Sequence, residues 1–258
     1  MDSKHPTINE YFEKRSAYQV LSQVGKPDLI VFTNVFAHIE DLPSLINNLK
    51  ILTHDKTKIV IENHYLGAVF NGGQFDTFYH EHPRTYSYRS FEFIANSLEM
   101  NVLDVEFVSR YGGNIRVYLG VGDKKHLEID ESHFSSSFTK MSTDMLKWKV
   151  ETKNMISKLI SKHGLMRAKA FPGRAVILIK LLDLNENHIS AVYEIKGSIK
   201  VGNYVPSTRI PILPESELYA KEDLNKPILN LAWHLPSEVR ANLLTNGYTG
   251  NVIDIKNF

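Results

Sequence analysis

Apolar residues along this chain switch between helical and strand spacing, and the switches predict its elements. Tyr11 to Val24 reads as a helix halted by Gly25-Lys26-Pro27, since glycine and proline end helical turns. Asp28 to Thr33 is an almost unbroken apolar run, the pattern of a buried parallel strand. Asp41 to Leu52 sets Leu42, Leu45, Ile46, Leu49 and Leu52 at helical spacing, and Lys58 to Glu62 is the next strand. Tyr88 to Glu99 follows as a helix. Val102 to Phe107 and Ile115 to Val121 then pair as antiparallel strands around Tyr111-Gly112-Gly113. Repeated β-α-β units closed by a hairpin predict an open α/β sheet.

The polar, serine-rich stretch from His133 to Lys140 reads as a linker, and a long helix runs from Thr143 to His163 and stops at Gly164. Beyond it lies a second, smaller α/β unit. Ala175 to Leu182 is apolar, and Ile189 to Tyr193, Ile228 to Ala232 and Val252 to Ile255 read as strands. Gly202 to Pro206 and Pro211 to Pro214 read as loop-shaping segments, because proline fixes φ and interrupts ladders. The division expected is therefore 1–132, a linker and connecting helix over 133–163, and 164–258.

Composition narrows the classes. The chain has 258 residues, and 43% are hydrophobic, enough for a real core. Thirty basic residues against twenty-nine acidic ones leave a net charge of +1, which gives no electrostatic reason to expect nucleic acid or a membrane surface as partner. There is no cysteine, so disulfides, thiolate metal sites and a cysteine nucleophile are excluded, and a reducing cytoplasm fits. The opening Met1 to His5 is polar with no apolar run behind it, unlike a signal peptide. The most apolar stretch, Ala175 to Leu182, contains Lys180 and is far too short to span a bilayer.

Three constellations can carry chemistry. Thr33-Asn34-Val35-Phe36-Ala37-His38 follows a strand directly, and ligands of open α/β sheets bind at the carboxyl ends of strands. If a helical turn begins there, Asn34 and His38 share a face. The same residues also suit an Asn capping a turn beside a packed His. Tyr79-His80-Glu81-His82 gathers two imidazoles, a carboxylate and a phenol. Imidazole exchanges a proton near neutral pH, and a carboxylate can orient it. His, Glu and His are also metal ligands, but adjacent residues do not converge on one ion from regular structure, so no metal is assigned. A polar surface loop is the plain alternative. Gly112-Gly113-Asn114-Ile115-Arg116 permits a tight turn or a close approach of backbone to ligand, and equally an ordinary hairpin.

In these segments, from Pro6 to Phe258, the chain resembles the S-adenosylmethionine-dependent sugar C-methyltransferases that act on nucleotide-linked keto-deoxyhexoses. The matching stretches are Asp28 to Ile39 with its Asn-x-x-x-His, Phe75 to His82 as Asp-x-x-Tyr-His-Glu-His, Gly112 to Arg116 as Gly-Gly-x-x-Arg, Lys200 to Ile212, and Leu231-Ala232-Trp233-His234. The family's cysteine-rich zinc unit, its glycine-rich cofactor loop and the acidic residue that binds ribose have no counterpart in these residues. Lys169 to Arg174 stands where the family shows a glycine-richer pattern.

The resemblance implies an incomplete Rossmann-like methyltransferase sheet over 1–132 and the family's C-terminal α/β domain over 164–258. It implies methyl transfer from S-adenosylmethionine to a carbon beside a ketone. His82 is then the base, chosen over His80, with Glu81 supporting it. Tyr79 donates to the enolate oxygen. Asn34, His38 and Arg116 hold the sugar nucleotide, and Thr33 and Asn34 form part of the cofactor site. Three readings follow: an enzyme completed by a separate N-terminal polypeptide, a non-catalytic remnant, or a sugar-nucleotide-binding module.

Overall fold

The computed structural model describes residues 6–125 and 127–256. The opening Met1 to His5 lies outside them. The chain forms two compact units, 6–74 with 80–137, and 75–79 with 138–256. The short segment Phe75 to Tyr79 thus groups with the second unit, although its neighbours on both sides belong to the first.

The first unit is a four-stranded sheet. Its strands are β1 (Leu29–Thr33), β2 (Lys58–His64), β3 (Asn101–Val108) and β4 (Asn114–Gly120), in the order β1-β2-β4-β3. β1 and β2 are parallel, while β4 runs antiparallel to both β2 and β3. Helices α1 (Lys14–Val24), α2 (Leu42–Leu52), α3 (Leu66–Asn71) and α4 (Tyr88–Ser97) complete it. Each starts or stops for a local reason. α1 begins at Lys14 rather than Tyr11, because the Glu13 amide donates to Ser16 Oγ in a capping box. Asp41 accepts the Ser44 amide at 3.0 Å and caps α2. Ser87 and Ser90 cap α4 reciprocally, and the buried Glu131 carboxylate takes the Tyr88 and Arg89 amides at 2.7 and 3.2 Å. Phe36, Leu49, Ile59, Ile61, Phe91 and Ile115, all fully enclosed, form the centre of the core.

β1 corrects one expectation. It is parallel, but it is the edge strand, and Leu29 and Val31 remain 57% and 56% exposed. An apolar run marks a strand without revealing whether both faces are covered.

The second unit is a five-stranded sheet whose neighbours all pair in parallel, in the order β7-β6-β5-β8-β9. These are β5 (Met166–Lys169), β6 (Ile189–Glu194), β7 (Ile212–Pro214), β8 (Ile228–Asn230) and β9 (Val252–Asp254). The order reverses at β5, from which the chain winds out to β7 on one side and to β9 on the other. The chain is thus a mixed α/β protein with two sheets, of which the second, all parallel, has the Rossmann-like arrangement. The connecting helix α5 spans Phe134–His163. The serine-rich stretch expected as a linker is therefore its first turns, with Ser136 and Ser137 hydroxyls donating to the His133 carbonyl. Ala175–Leu181 is helix α6, and α7 (Glu215–Tyr219) and α8 (Pro236–Thr245) follow. Pro211 to Pro214, expected as loop, supplies β7. An edge strand tolerates proline because its outward amide has no ladder partner. Among the described residues no helix is long and apolar enough to cross a membrane.

Candidate functional site

The carboxyl end of β1 carries the first group of expected residues. Thr33 is the last strand residue, paired in register with Glu62. Asn34 then leaves the strand with φ of 54°, a left-handed conformation that asparagine tolerates better than most residues. Its amide donates to the Glu62 carbonyl at 2.8 Å. A single 3-10 turn, Phe36–His38, follows, fixed by Ala37 N–H donating to Asn63 Oδ1 and by the Tyr86 hydroxyl on the Phe36 carbonyl. This turn presents His38 at the surface while Phe36 anchors in the core.

His38 and His82 come together. Their ring centroids lie 4.9 Å apart in an edge-to-face arrangement. His38 Nδ1 lies 2.7 Å from the Glu81 carbonyl oxygen. A carbonyl only accepts, so Nδ1 carries a proton and Nε2 is the ring nitrogen turned away from this bond. Glu81 therefore contributes its main chain to this pair and leaves its side chain exposed. His82 lies in an irregular loop between the 3-10 turn Phe75–Thr77 and the bridge at Tyr86, and its contact with His38 brings it to the carboxyl end of β1. The loop is fixed on its far side by Arg84, whose Nε and Nη2 donate to the carbonyls of Ile39 and Glu40. His80 is exposed, and Tyr79 belongs to the segment that groups with the second unit. A groove beside the carboxyl end of β1 is lined by Phe12, Tyr18, Phe32, Val35, His38 and Asn48.

Arg116 is bound to two carboxylates. Its Nε and Nη2 donate to Glu62 Oε2 at 3.0 and 2.7 Å, and Nη1 donates to Glu106 at 2.7 Å. Burial opposes the charge on Glu62, but the hydrogen bonds from Arg116 and Asn114 outweigh it and hold the carboxyl below its ordinary range. The glycine pair before Arg116 is structurally required. Gly112 and Gly113 have φ of 88° and 118°, and a Cβ on Gly113 would meet Ala68 Cβ at 2.4 Å. The Gln74 side chain seals this turn by donating to the Gly112 carbonyl at 2.7 Å.

The second unit has its own polar centre, which sequence reasoning missed. The reversal of strand order between β5 and β8 places a crevice at their carboxyl ends. Buried there are Lys169, paired with Glu215 at 2.7 Å, and Asn230, which donates to Asp254 at 2.7 Å. Asp76, fully buried, accepts from Arg174 and from Trp233 Nε1, the latter at 2.7 Å. Lys256 lies over the Trp233 ring, 3.5 Å from its centroid. Burial, with repulsion from Arg174 and despite attraction from Asp76, pushes the Lys256 ammonium down to about 7. Asp76 and Trp233 stood in two matched motifs and Arg174 in the segment that departs from the family pattern, and spacing alone does not reveal that they meet. A cavity of about 280 Å³ bordered by Met166, Arg167 and Ser190 opens at the amino ends of β5 and β6, the end that ligands of such sheets do not use. Among the described residues no three or more His, Asp or Glu side chains gather as a metal site would require.

The fold and site define an α/β protein with two histidines in contact at the carboxyl end of a strand, the end at which ligands of open α/β sheets bind. The family model described as C-methyltransferase C-terminal domain matches residues 110–251, more than half of the chain, and the chain belongs to that family. It is also similar to C-methyltransferase NovU of Streptomyces niveus, 22% identical over 256 residues, which cover 93% of this chain and 60% of that protein.

Proposed function

We propose that this chain is the substrate-handling part of a sugar C-methyltransferase, working in the cytoplasm on a nucleotide-linked keto-deoxysugar. The observation that carries the reading is the contact of His38 and His82 at the carboxyl end of β1, with Asn34 between that strand and the turn that carries His38. A ketone acidifies the C–H beside it, and a positioned base makes deprotonation fast, typically by about 10²–10⁴. His82 takes that proton, and His38, its tautomer fixed by the Glu81 carbonyl, borders the same space. Asn34 and His38 hold the sugar in place. S-adenosylmethionine, when bound, supplies an electrophilic methyl group.

The residues present fit one side of that cofactor. The apolar wall of Phe12, Phe32 and Val35 lines the groove at the end of β1, and Thr33 and Asn34 stand between Phe32 and Val35 in the chain. No glycine-rich loop borders it among the described residues. The remaining contacts come from polypeptide outside these 258 residues, in keeping with a chain that spans 60% of its relative.

A second reading, a sugar-nucleotide-binding module without catalysis, is favoured by the crevice of the second unit, where Lys169 and Asn230 stand at the point of strand reversal. Solvent deuterium exchange separates the two. With the chain supplied with an N-terminal polypeptide, exchange at the carbon beside the ketone is expected, lost in His82→Ala and retained in His80→Ala. Exchange retained in His82→Ala and lost in His80→Ala would transfer the role to His80. Binding of the sugar nucleotide with no exchange in any form would favour the module.

A further inference from the structure

Asn34 is held by a chain of hydrogen bonds with a defined direction. Arg116 binds Glu62 Oε2 through Nε and Nη2, so Glu62 stays a carboxylate and only accepts. Its other oxygen, Oε1, lies 3.0 Å from Asn114 Nδ2. Asn114 is 1% exposed, so its amide has no solvent to turn toward. Facing a carboxylate, it must present its NH₂. The second hydrogen of that NH₂ points to Asn34 Oδ1, also at 3.0 Å. The carbonyl of Asn34 thereby accepts inside the protein, which leaves the NH₂ of this half-exposed residue as the group its side chain can offer a ligand. The backbone agrees. The left-handed φ of 54° and the bond from Asn34 N–H to the Glu62 carbonyl at 2.8 Å fix where that side chain starts.

We propose that Glu62, Asn114 and Arg116 are positioning residues that lock Asn34 as a hydrogen-bond donor at the carboxyl end of β1, so that this point of the site takes an acceptor oxygen. The inference rests on the reading of the β1 crevice as the place where substrate and cofactor meet. Two ligands of that reading carry such an oxygen, the keto group of the sugar and the carboxylate of the cofactor's amino-acid moiety. The Gly-Gly-x-x-Arg hairpin then acquires a role at one remove. Its arginine keeps the relay charged at one end, and its asparagine passes the direction on. Direction matters because an amide free to flip would offer an acceptor as often as a donor. A fixed donor is worth more to a developing negative charge, since it need not reorient.

The direction of the relay is visible by NMR in the full chain with no ligand added. The side-chain NH₂ of Asn34 is expected to exchange with water as an exposed amide does, and that of Asn114 to be protected. Protection of the Asn34 NH₂ would overturn the relay. Asn114→Asp reverses the direction, because an acceptor then faces Asn34, and the Asn34 NH₂ is expected to turn inward and become protected. Should that variant not fold, Asn114→Ala is expected to release Asn34 into two side-chain orientations, and a single unchanged Asn34 signal would count against the relay. Ligand arms follow the same resonance at millimolar concentration, with the N-terminal polypeptide supplied. A nucleotide-linked keto-deoxyhexose that shifts it, where the matching alcohol does not, identifies the keto oxygen. S-adenosylhomocysteine that shifts it, where 5′-methylthioadenosine does not, identifies the carboxylate. Shifts at His38 and His82 without one at Asn34 would overturn the acceptor assignment alone. No shift anywhere in the crevice would overturn both that assignment and the underlying reading, while the ligand-free spectra still judge the relay.

Discussion

Asp76 and Arg174, 98 positions apart, meet as a two-pronged ion pair in the second unit, with Nε 2.8 Å from Oδ2 and Nη2 2.9 Å from Oδ1. Asp76 is fully buried and also accepts from Trp233 Nε1. Removing one member of such a pair strands the other charge. Asp76→Ala is expected to cost about 3–5 kcal/mol of the second unit's stability, and Asp76→Asn less, because an amide oxygen still accepts from Trp233. Urea denaturation followed by tryptophan fluorescence measures both. Equal midpoints for Asp76→Ala and the unchanged chain would refute the pairing.

Lys256 makes that unit sensitive to alkaline pH. Its folded pKa of about 7 lies below the ordinary 10.5. Between these values the unfolded chain binds more protons than the folded one, so stability rises as pH climbs from about 7 toward 10. Below 7 both states hold the proton and the burial penalty on the ammonium is fully present. Thermal midpoints across that range should rise for the unchanged chain and flatten in Lys256→Met. A slope that persists in Lys256→Met would assign it elsewhere.

His234 acts on the acid side. Burial, with repulsion from Arg174, pushes its imidazole down to about 4 from 6.5. The unfolded chain takes up the proton first, so stability is lost as pH falls from about 6.5 to about 4. His234→Phe is expected to remove that part of the acid sensitivity. If acid unfolding is the same in both proteins, the carboxylates alone account for it.

The sequence was legible where periodicity and local capping decide structure. Asp41 before a spaced run of leucines marked α2, and Gly112-Gly113 marked the hairpin turn. It misled where burial depends on distant chain. The run Leu29 to Thr33 reads the same on an edge as in the middle of a sheet, and the hydroxyls of Ser136 and Ser137, which look like linker, bond back to His133 inside a helix. β5 alternates apolar with charged residues over four positions and β7 is bracketed by Pro211 and Pro214, so neither shows the apolar run that marked β8 and β9. In the site, Asn34, His38 and His82 were found as candidates through motif order. The engagement of Arg116 by Glu62 and Glu106 was not, because ion pairs between strands leave no spacing signature.

The hairpin turn offers a direct test of the glycine requirement. Gly113→Ala meets both a φ of 118° and Ala68 Cβ at 2.4 Å, and strain of this kind costs about 1–3 kcal/mol. Ala68→Gly in the same chain should recover the steric part and leave the backbone part. Full recovery would show that the backbone conformation is relaxed.

The last prediction concerns the cofactor. This chain by itself is expected to bind S-adenosylmethionine very weakly. A nucleoside cofactor on a Rossmann-like sheet is held by main-chain amides of a glycine-rich turn and by an acidic residue on its ribose. The carboxyl end of β1 leads instead into Asn34-Val35-Phe36, where the amide of Asn34 is already bonded to Glu62. β2 leads into Tyr65-Leu66-Gly67, and there the glycine makes room for the Tyr65 ring, 2.3 Å from where its Cβ would stand. The first turn holds no glycine and the second only one, so neither is a glycine-rich loop. What remains is the groove wall of Phe12, Phe32 and Val35 and the donor on Asn34. Several missing hydrogen bonds at about 1–3 kcal/mol each weaken binding by several orders of magnitude. Calorimetry on the purified chain should therefore show no saturation at micromolar ligand. Micromolar affinity with no added polypeptide would mean that the cofactor sits elsewhere than at the end of β1, and the crevice of the second unit would be the next place to look.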